Sequence, residues 1–107
     1  PSVQLRLKVH NSFHDATATG DGQYDSFMKA LSAIYSSLKK DLPKLVDYHV
    51  TIPPGGKTDA LVETVITWEY GRRFKTKGLD PDQTVAAMMA TEKMLNIMDN
   101  HPMEIHS

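Results

Sequence analysis

The chain has 107 residues, 40% hydrophobic and 23% charged, with twelve Lys and Arg against thirteen Asp and Glu for a formal net charge of -1. This composition suits one folded domain with a buried core, and it excludes disordered and fibrous classes and the basic footprint of a nucleic-acid binder. The lack of cysteine excludes disulfides, zinc-thiolate sites and thiol nucleophiles.

Val3, Leu5, Leu7 and Val9 alternate with Gln4, Arg6, Lys8 and His10, the period-2 pattern of a half-buried strand. Asn11 and Ser12 turn the chain, and Phe13 to Thr19 runs back with Ala16 and Ala18 on one face. Gly20-Asp21-Gly22 breaks that strand. Tyr24, Phe27, Leu31, Ile34, Tyr35 and Leu38 then recur at spacings of three and four, which predicts a helix of about 17 residues ending at Asp41 to Pro43.

The second half opens with Leu45 to Ile52, where Val46, Tyr48, Val50 and Ile52 are expected to share a strand face. Pro53-Pro54-Gly55-Gly56 has loop composition. Leu61 to Tyr70 is rich in Val, Ile, Thr, Trp and Tyr and predicts a strand, and Gly71 turns it into another over Arg73 to Gly78. Asp80-Pro81-Asp82-Gln83 predicts a helix start with Asp80 as cap, running to about Asp99, with Val85, Met88, Met89, Leu95 and Met98 as its packing side. His101 to Ser107 is expected to be a tail. No apolar run reaches the roughly 20 residues of a membrane-spanning helix and no signal peptide opens the sequence, so a cytoplasmic setting is expected.

One unit thus occurs twice: a hairpin ends in glycine (Gly20, Gly78), passes an acid (Asp21, Asp80) and enters an amphipathic helix. The glycines are 58 residues apart. The fold class expected is α+β, ββα then βββα, with antiparallel strands and the helices packed on one face of the sheets. Residues 1–100 form the single expected domain, followed by the tail, 101–107.

Few residues carry chemistry. His10 and His14 flank a turn, His49 lies on the strand side opposite Tyr48 and Val50, and His101 and His106 lie in the tail, so solvated histidines are expected rather than a metal site. Ser32, Ser36 and Ser37 have no adjacent base or strained elbow. Arg72, Arg73, Lys75 and Lys77 cluster on one hairpin arm, where a charged edge discourages strand pairing. Asp21 and Asp25 sit where carboxylates stabilise a helix terminus. A glycine turn entering a helix also presents backbone N–H groups to an anion. Two nearby carboxylates disfavour a phosphate, and the Lys-Ser/Thr pair of a P-loop is absent. A zwitterion fits better, with its carboxylate at the N–H groups and its ammonium at Asp25. Tyr24, Leu45, Tyr48, Ile52 and Val62 then either line an apolar pocket or simply fill the core.

Four stretches carry a resemblance. Ala16 to Phe27 resembles the glycine turn and first helix of the regulatory domain of α-isopropylmalate synthases. Leu45-Val46-Asp47-Tyr48-His49-Val50 resembles that family's next strand, and Gly55 to Val62 its glycine loop and following strand. Thr76 to Thr84 with Val85-Ala86-Ala87 resembles its second helix entry. The resemblance implies a regulatory domain that binds leucine as feedback inhibitor at a homodimer interface and holds no catalytic residue, metal or cofactor. The parent enzyme implied is an acetyl-CoA-dependent acyltransferase, whose separate catalytic barrel uses a divalent metal. The effector contacts implied are Gly22, Tyr24, Asp25, Leu45, Tyr48, Ile52, Val62, Pro81 and Gln83. The Tyr24-Asp25 pair looks more like isoleucine-sensing citramalate synthases, which leaves isoleucine as the alternative effector. A reading of another class is a stand-alone small-molecule sensor or dimerisation module.

Overall fold

The computed structural model describes residues 1–9, 11–52, 61–98 and the strand 103–106. The alternation at the start forms β1 (Ser2–Val9), with Val3, Leu5, Leu7 and Val9 all buried, and it pairs antiparallel with β2 (Ser12–Thr19). Asn11 makes the connection at φ 66, a left-handed conformation that Asn tolerates better than most residues. The helix α1 (Gln23–Ser37) has 15 residues and packs on β1 and β2. It ends before Asp41 because Lys39, at φ 55, turns the chain so that the Lys40 N–H donates to the Tyr35 carbonyl at 2.9 Å.

Beyond it come β3 (Lys44–Thr51), β4 (Val62–Tyr70), β5 (Arg72–Asp80), α2 (Gln83–Met98) and β6 (Met103–His106). The order ββα then βββα is therefore present, with a further strand inside the segment expected to be a tail. Two antiparallel sheets result, ordered β2-β1-β6 and β3-β4-β5. The chain divides into two compact units, residues 1–42 with 99–107, and residues 43–98. The predicted loop at Pro53 to Gly56 lies outside the described residues, as do His10 and His101.

The repeat holds at a different offset from the one the glycines suggest. Buried helix positions correspond at a separation of 60 residues: Ser26 with Ala86, Phe27 with Ala87, Ala30 with Ala90, Leu31 with Thr91, Ile34 with Met94 and Tyr35 with Leu95. Gly20 therefore matches Asp80, not Gly78.

The packing side of α2 is corrected at the same time. Of the expected set only Leu95 is fully buried; Val85 is 40% exposed, and Met88, Met89 and Met98 are half-buried. The buried side is Ala86, Ala87, Ala90, Thr91, Met94 and Leu95. The cause is Gly78 on β5. A Cβ there would run into the Ala86 carbonyl and reach 3.0 Å from the Ala90 nitrogen, so helix and strand backbones touch where no side chain intervenes. Only small residues fit so close an approach, and the larger methionines are turned aside. The bulk that α2 lacks comes from the sheet: Trp68 is fully buried, and its Nε1–H donates to Thr76 Oγ at 2.8 Å.

β3 carries a second departure. A bulge between Leu45 and Asp47 shifts the register, so Leu45 stands opposite Trp68 and Tyr48 opposite Ile66. Leu45, Val46, Tyr48 and Val50 are all half-buried, whereas Ile52 lies beyond the strand and is 70% exposed.

Two substitutions test this packing. Gly78→Ala should lower stability by more than about 1–3 kcal/mol, because backbone atoms rather than side-chain ends block the new methyl. Gly22→Ala, where no atom lies within 4 Å and φ is -129, should be near neutral in thermal unfolding. Thr64 on β4 is fully buried, and its hydroxyl has no hydrogen-bond partner among the described residues. Thr64→Val should therefore leave stability unchanged or raise it by up to about 1–3 kcal/mol, since it removes an unmet polar group. A clear loss in denaturant unfolding would show that the hydroxyl has a partner.

Candidate functional site

The first unit's site is the entry to α1. Ser26 is buried, and its hydroxyl gathers three backbone segments: Oγ accepts from the Gly20 N–H at 2.8 Å and lies 2.7 Å from the Pro1 carbonyl and 2.8 Å from that of Gly22. Its single proton serves one of those two carbonyls at a time. This fixes Gly20-Asp21-Gly22 as the ramp into the helix. Gly22 is the N-cap and, as glycine, contributes no side-chain cap to the N–H groups of the first turn. Sequence reasoning missed Ser26, although a serine one helical turn after a glycine break was there to be read.

Asp25 closes the ramp from the other side. Its Oδ2 accepts from the Asp21 N–H at 3.1 Å and pairs with Lys29 Nζ at 3.2 Å. Glycine at position 20 leaves room for the Asp25 carboxylate, which a Cβ there would displace, and a Cβ would also come within 3.0 Å of the Ser26 nitrogen. The backbone N–H of Asp21, then the Lys29 ammonium, hold the Asp25 carboxyl below its ordinary range. Tyr24 is half-buried, with its ring centroid 5.8 Å from that of Phe27.

The second unit enters its helix differently. The cap is Asp82, not Asp80: Asp82 Oδ1 accepts from the Thr84 N–H at 2.8 Å and the Val85 N–H at 3.2 Å. Asp80 is the last residue of β5, and its Oδ2 accepts from the Asp82 N–H at 2.8 Å, so Pro81 lies between strand and helix rather than inside the first turn. The α2 terminus is closed by its own carboxylate.

The expected contacts group by unit. Gly22, Tyr24 and Asp25 are consecutive or nearly so at the α1 entry. In the second unit Val62 opens β4 opposite Asp80, and the next pair along β3 is Thr51 with Glu63, so Ile52 lies at the same end of the sheet as Pro81 and Gln83. Leu45 is at the far end of β3, roughly 23 Å from Ile52 at about 3.3 Å per residue. Tyr48 lies between them. Two hollows contain none of these residues. One of about 420 Å³ is lined by Ser32, Tyr35, Ser36, Lys39, Lys40, Asp41 and Leu42, the other of about 360 Å³ by Val46, Asp47, Thr67, Arg73, Phe74 and Lys75. Among the described residues no three of His, Asp and Glu form a metal-binding group, and no helix is long and apolar enough to cross a membrane.

A family model described as the LeuA allosteric (dimerisation) domain matches residues 1–98. The chain belongs to this family. A 2-isopropylmalate synthase of Methanocaldococcus jannaschii is 34% identical over 98 residues, which are 90% of this chain and 18% of that protein. The LeuA-domain chain thus spans less than a fifth of that relative's length.

The electrostatics of the α1 entry can be checked directly. Asp25 should titrate below an ordinary aspartate near 4, followed by its side-chain carboxyl resonance. A depressed folded-state value means that its contribution to stability is present above the unfolded value and is lost as pH falls through the folded one. Lys29→Met should raise the midpoint only part of the way, since the Asp21 N–H remains. A full return to the ordinary value would show that Lys29 is the sole cause.

Proposed function

We propose that this LeuA-family domain is the allosteric regulatory domain of a 2-isopropylmalate synthase, and that it binds leucine as feedback inhibitor at an interface between two copies. The observation that carries the reading is the α1 entry, with a helix terminus lacking a side-chain cap beside a carboxylate held in its charged form. The effector's carboxylate meets the first-turn N–H groups, and its ammonium meets Asp25. Gly22, Tyr24 and Asp25 supply this part of the site. Leu45, Tyr48, Ile52 and Val62, as side chains of an apolar pocket, and Pro81 and Gln83, on the family resemblance alone, are proposed as further contacts.

The parent protein in this reading is a cytoplasmic acetyl-CoA-dependent acyltransferase, whose catalytic domain carries the divalent metal. The present chain supplies the sensor and the dimer contact. A second reading keeps the site and changes the ligand. The Tyr24-Asp25 pair favours isoleucine and a citramalate synthase parent.

Calorimetric titration with leucine, isoleucine and valine separates these readings, and light scattering should report twice the chain mass of 12.0 kDa. Asp25 is exposed to solvent, so Asp25→Asn should weaken the best ligand by several-fold to about tenfold rather than abolish binding. Undiminished affinity in that variant would remove Asp25 from the site. Absence of heat with all three amino acids would sink the effector reading and leave the family membership standing.

A further inference from the structure

The hollow of about 360 Å³ in the second unit draws its lining from all three strands of one sheet. Successive strand residues alternate between faces, so Thr67 lies on the side of β4 away from the buried Ile66 and Trp68. Asp47 on β3 stands opposite Thr67, and Thr67 stands opposite Lys75 on β5. The three form one cross-strand row, with a carboxylate at one end, an ammonium at the other and a hydroxyl between them. The ends of the row are two strand spacings apart, roughly 10 Å between Cα atoms. Asp47 Oδ1 accepts from the Tyr48 N–H at 3.0 Å. Its Oδ2, the Lys75 ammonium and the Thr67 hydroxyl have no partner among the described residues. Thr67 is only 9% exposed yet lines the hollow, so an unpartnered hydroxyl lies at its floor. The bulge between Leu45 and Asp47 interrupts the ladder here and brings Val46 into the wall. Arg73, one row along β5, completes the lining; its Nε–H donates to Glu69 at 3.2 Å, which leaves its terminal nitrogens for another acceptor.

We propose that this hollow binds a small α-amino dicarboxylic acid, with its ammonium at Asp47, one carboxylate at Lys75 and the Thr67 hydroxyl, and the other at Arg73. The charges that line the hollow select this class. Two cations attract anions, but Asp47 stands in the same row and repels a ligand that is anionic throughout, such as phosphate or a plain dicarboxylate. A ligand with one ammonium and two carboxylates meets each of the three charges with its opposite. The volume of about 360 Å³ lies within the roughly 300–1,000 Å³ of small-molecule sites, and Val46 and Phe74 give a short methylene chain an apolar wall. The site lies wholly within residues 43–98 and shares no residue with the α1 entry, so it is independent of the effector reading. It gives Arg73 and Lys75 a task beyond keeping the edge of β5 unpaired.

A chemical-shift titration of the full chain at neutral pH tests this with three probes: glutamate, glutarate (the same two carboxylates without the ammonium) and inorganic phosphate. Glutamate should move the amides of Asp47, Thr67 and Lys75 saturably. Glutarate and phosphate should bind at least about threefold more weakly, the scale of one exposed ion pair. Asp47→Asn keeps an acceptor for the Tyr48 N–H and should bring glutamate down to the level of glutarate. Lys75→Met, at an exposed position, should weaken glutamate by about two- to fivefold. Glutarate or phosphate binding as tightly as glutamate would reduce the hollow to an anion patch and overturn the proposal, as would the lack of any saturable shift in the row. Shifts confined to Gly22 to Asp25 would support the effector reading and overturn this one.

Discussion

The α1 entry depends on one buried hydroxyl. Ser26 Oγ bonds the last residue of the β2 side of the ramp, approaches the carbonyl of the first residue of the chain, and sits against the carbonyl that starts α1. A hydroxyl can accept and donate at once, so one atom accepts from the Gly20 N–H and donates to the Pro1 or the Gly22 carbonyl in turn, with all three within 2.7–2.8 Å. Because this pinning is done from inside the unit, nothing need be placed on the outer side of the turn. Gly22 can be the cap, a residue with no side chain to close the terminus. The position equivalent to Ser26 in the second unit is Ala86, which has no hydroxyl, and there the outer side is filled by Asp80 and Asp82.

The same exchange of roles runs through the cores. Unit 1 places its bulk on the helix, with Phe27 and Leu31 buried over a strand of Val and Leu. Unit 2 places it on the sheet, with Trp68 buried under a helix face of alanines. Interiors are close-packed, so volume gained on one side must be given up on the other. Gly78 sets the direction of that trade, because contact between the β5 and α2 backbones leaves no room for a larger residue at Ala86 or Ala90.

This trade explains what the sequence revealed and what it hid. β1 was legible because its two faces differ in polarity at every step. The first helix was legible because its large apolar residues are its buried ones. In α2 the large apolar residues are not the buried ones, and a reading that weights Met and Val above Ala selects the wrong side. The close approach at Gly78 depends on tertiary geometry, which no local pattern expresses. The cap of α2 was displaced by two residues because Asp80-Pro81 and Asp82-Gln83 are both acceptable starts, and only the length of β5 decides between them. β6 was missed because four residues of Met-Glu-Ile-His are too short for alternation to stand out, and their partner is almost a whole chain away. Of the site, Gly22 and Asp25 were legible as turn and terminus chemistry. In the second unit Leu45, Tyr48, Ile52 and Val62 were legible only as pocket or core, with Leu45 and Ile52 at opposite ends of one strand, and Pro81 and Gln83 came only from resemblance.

A duplicated unit invites the expectation of two equivalent sites, and the two helix entries argue against it. Aligned at 60 residues, Gly22 corresponds to Asp82 and Asp25 to Val85. At the second entry the carboxylate is at the cap, where it takes the Thr84 and Val85 N–H groups for itself. At the first it has moved three residues into the helix, where it accepts from the Asp21 N–H behind the turn and leaves the cap position as glycine. A ligand carboxylate would compete with Asp82 for bonds already made within the chain, whereas at Gly22 no side chain stands in its way. Moving one acid by a single turn thus separates a helix terminus closed by its own cap side chain from one whose cap residue is glycine. In the proposed reading the positive charge of a zwitterion would find a carboxylate only at that first entry, because the residue in the place of Asp25 on α2 is the exposed Val85.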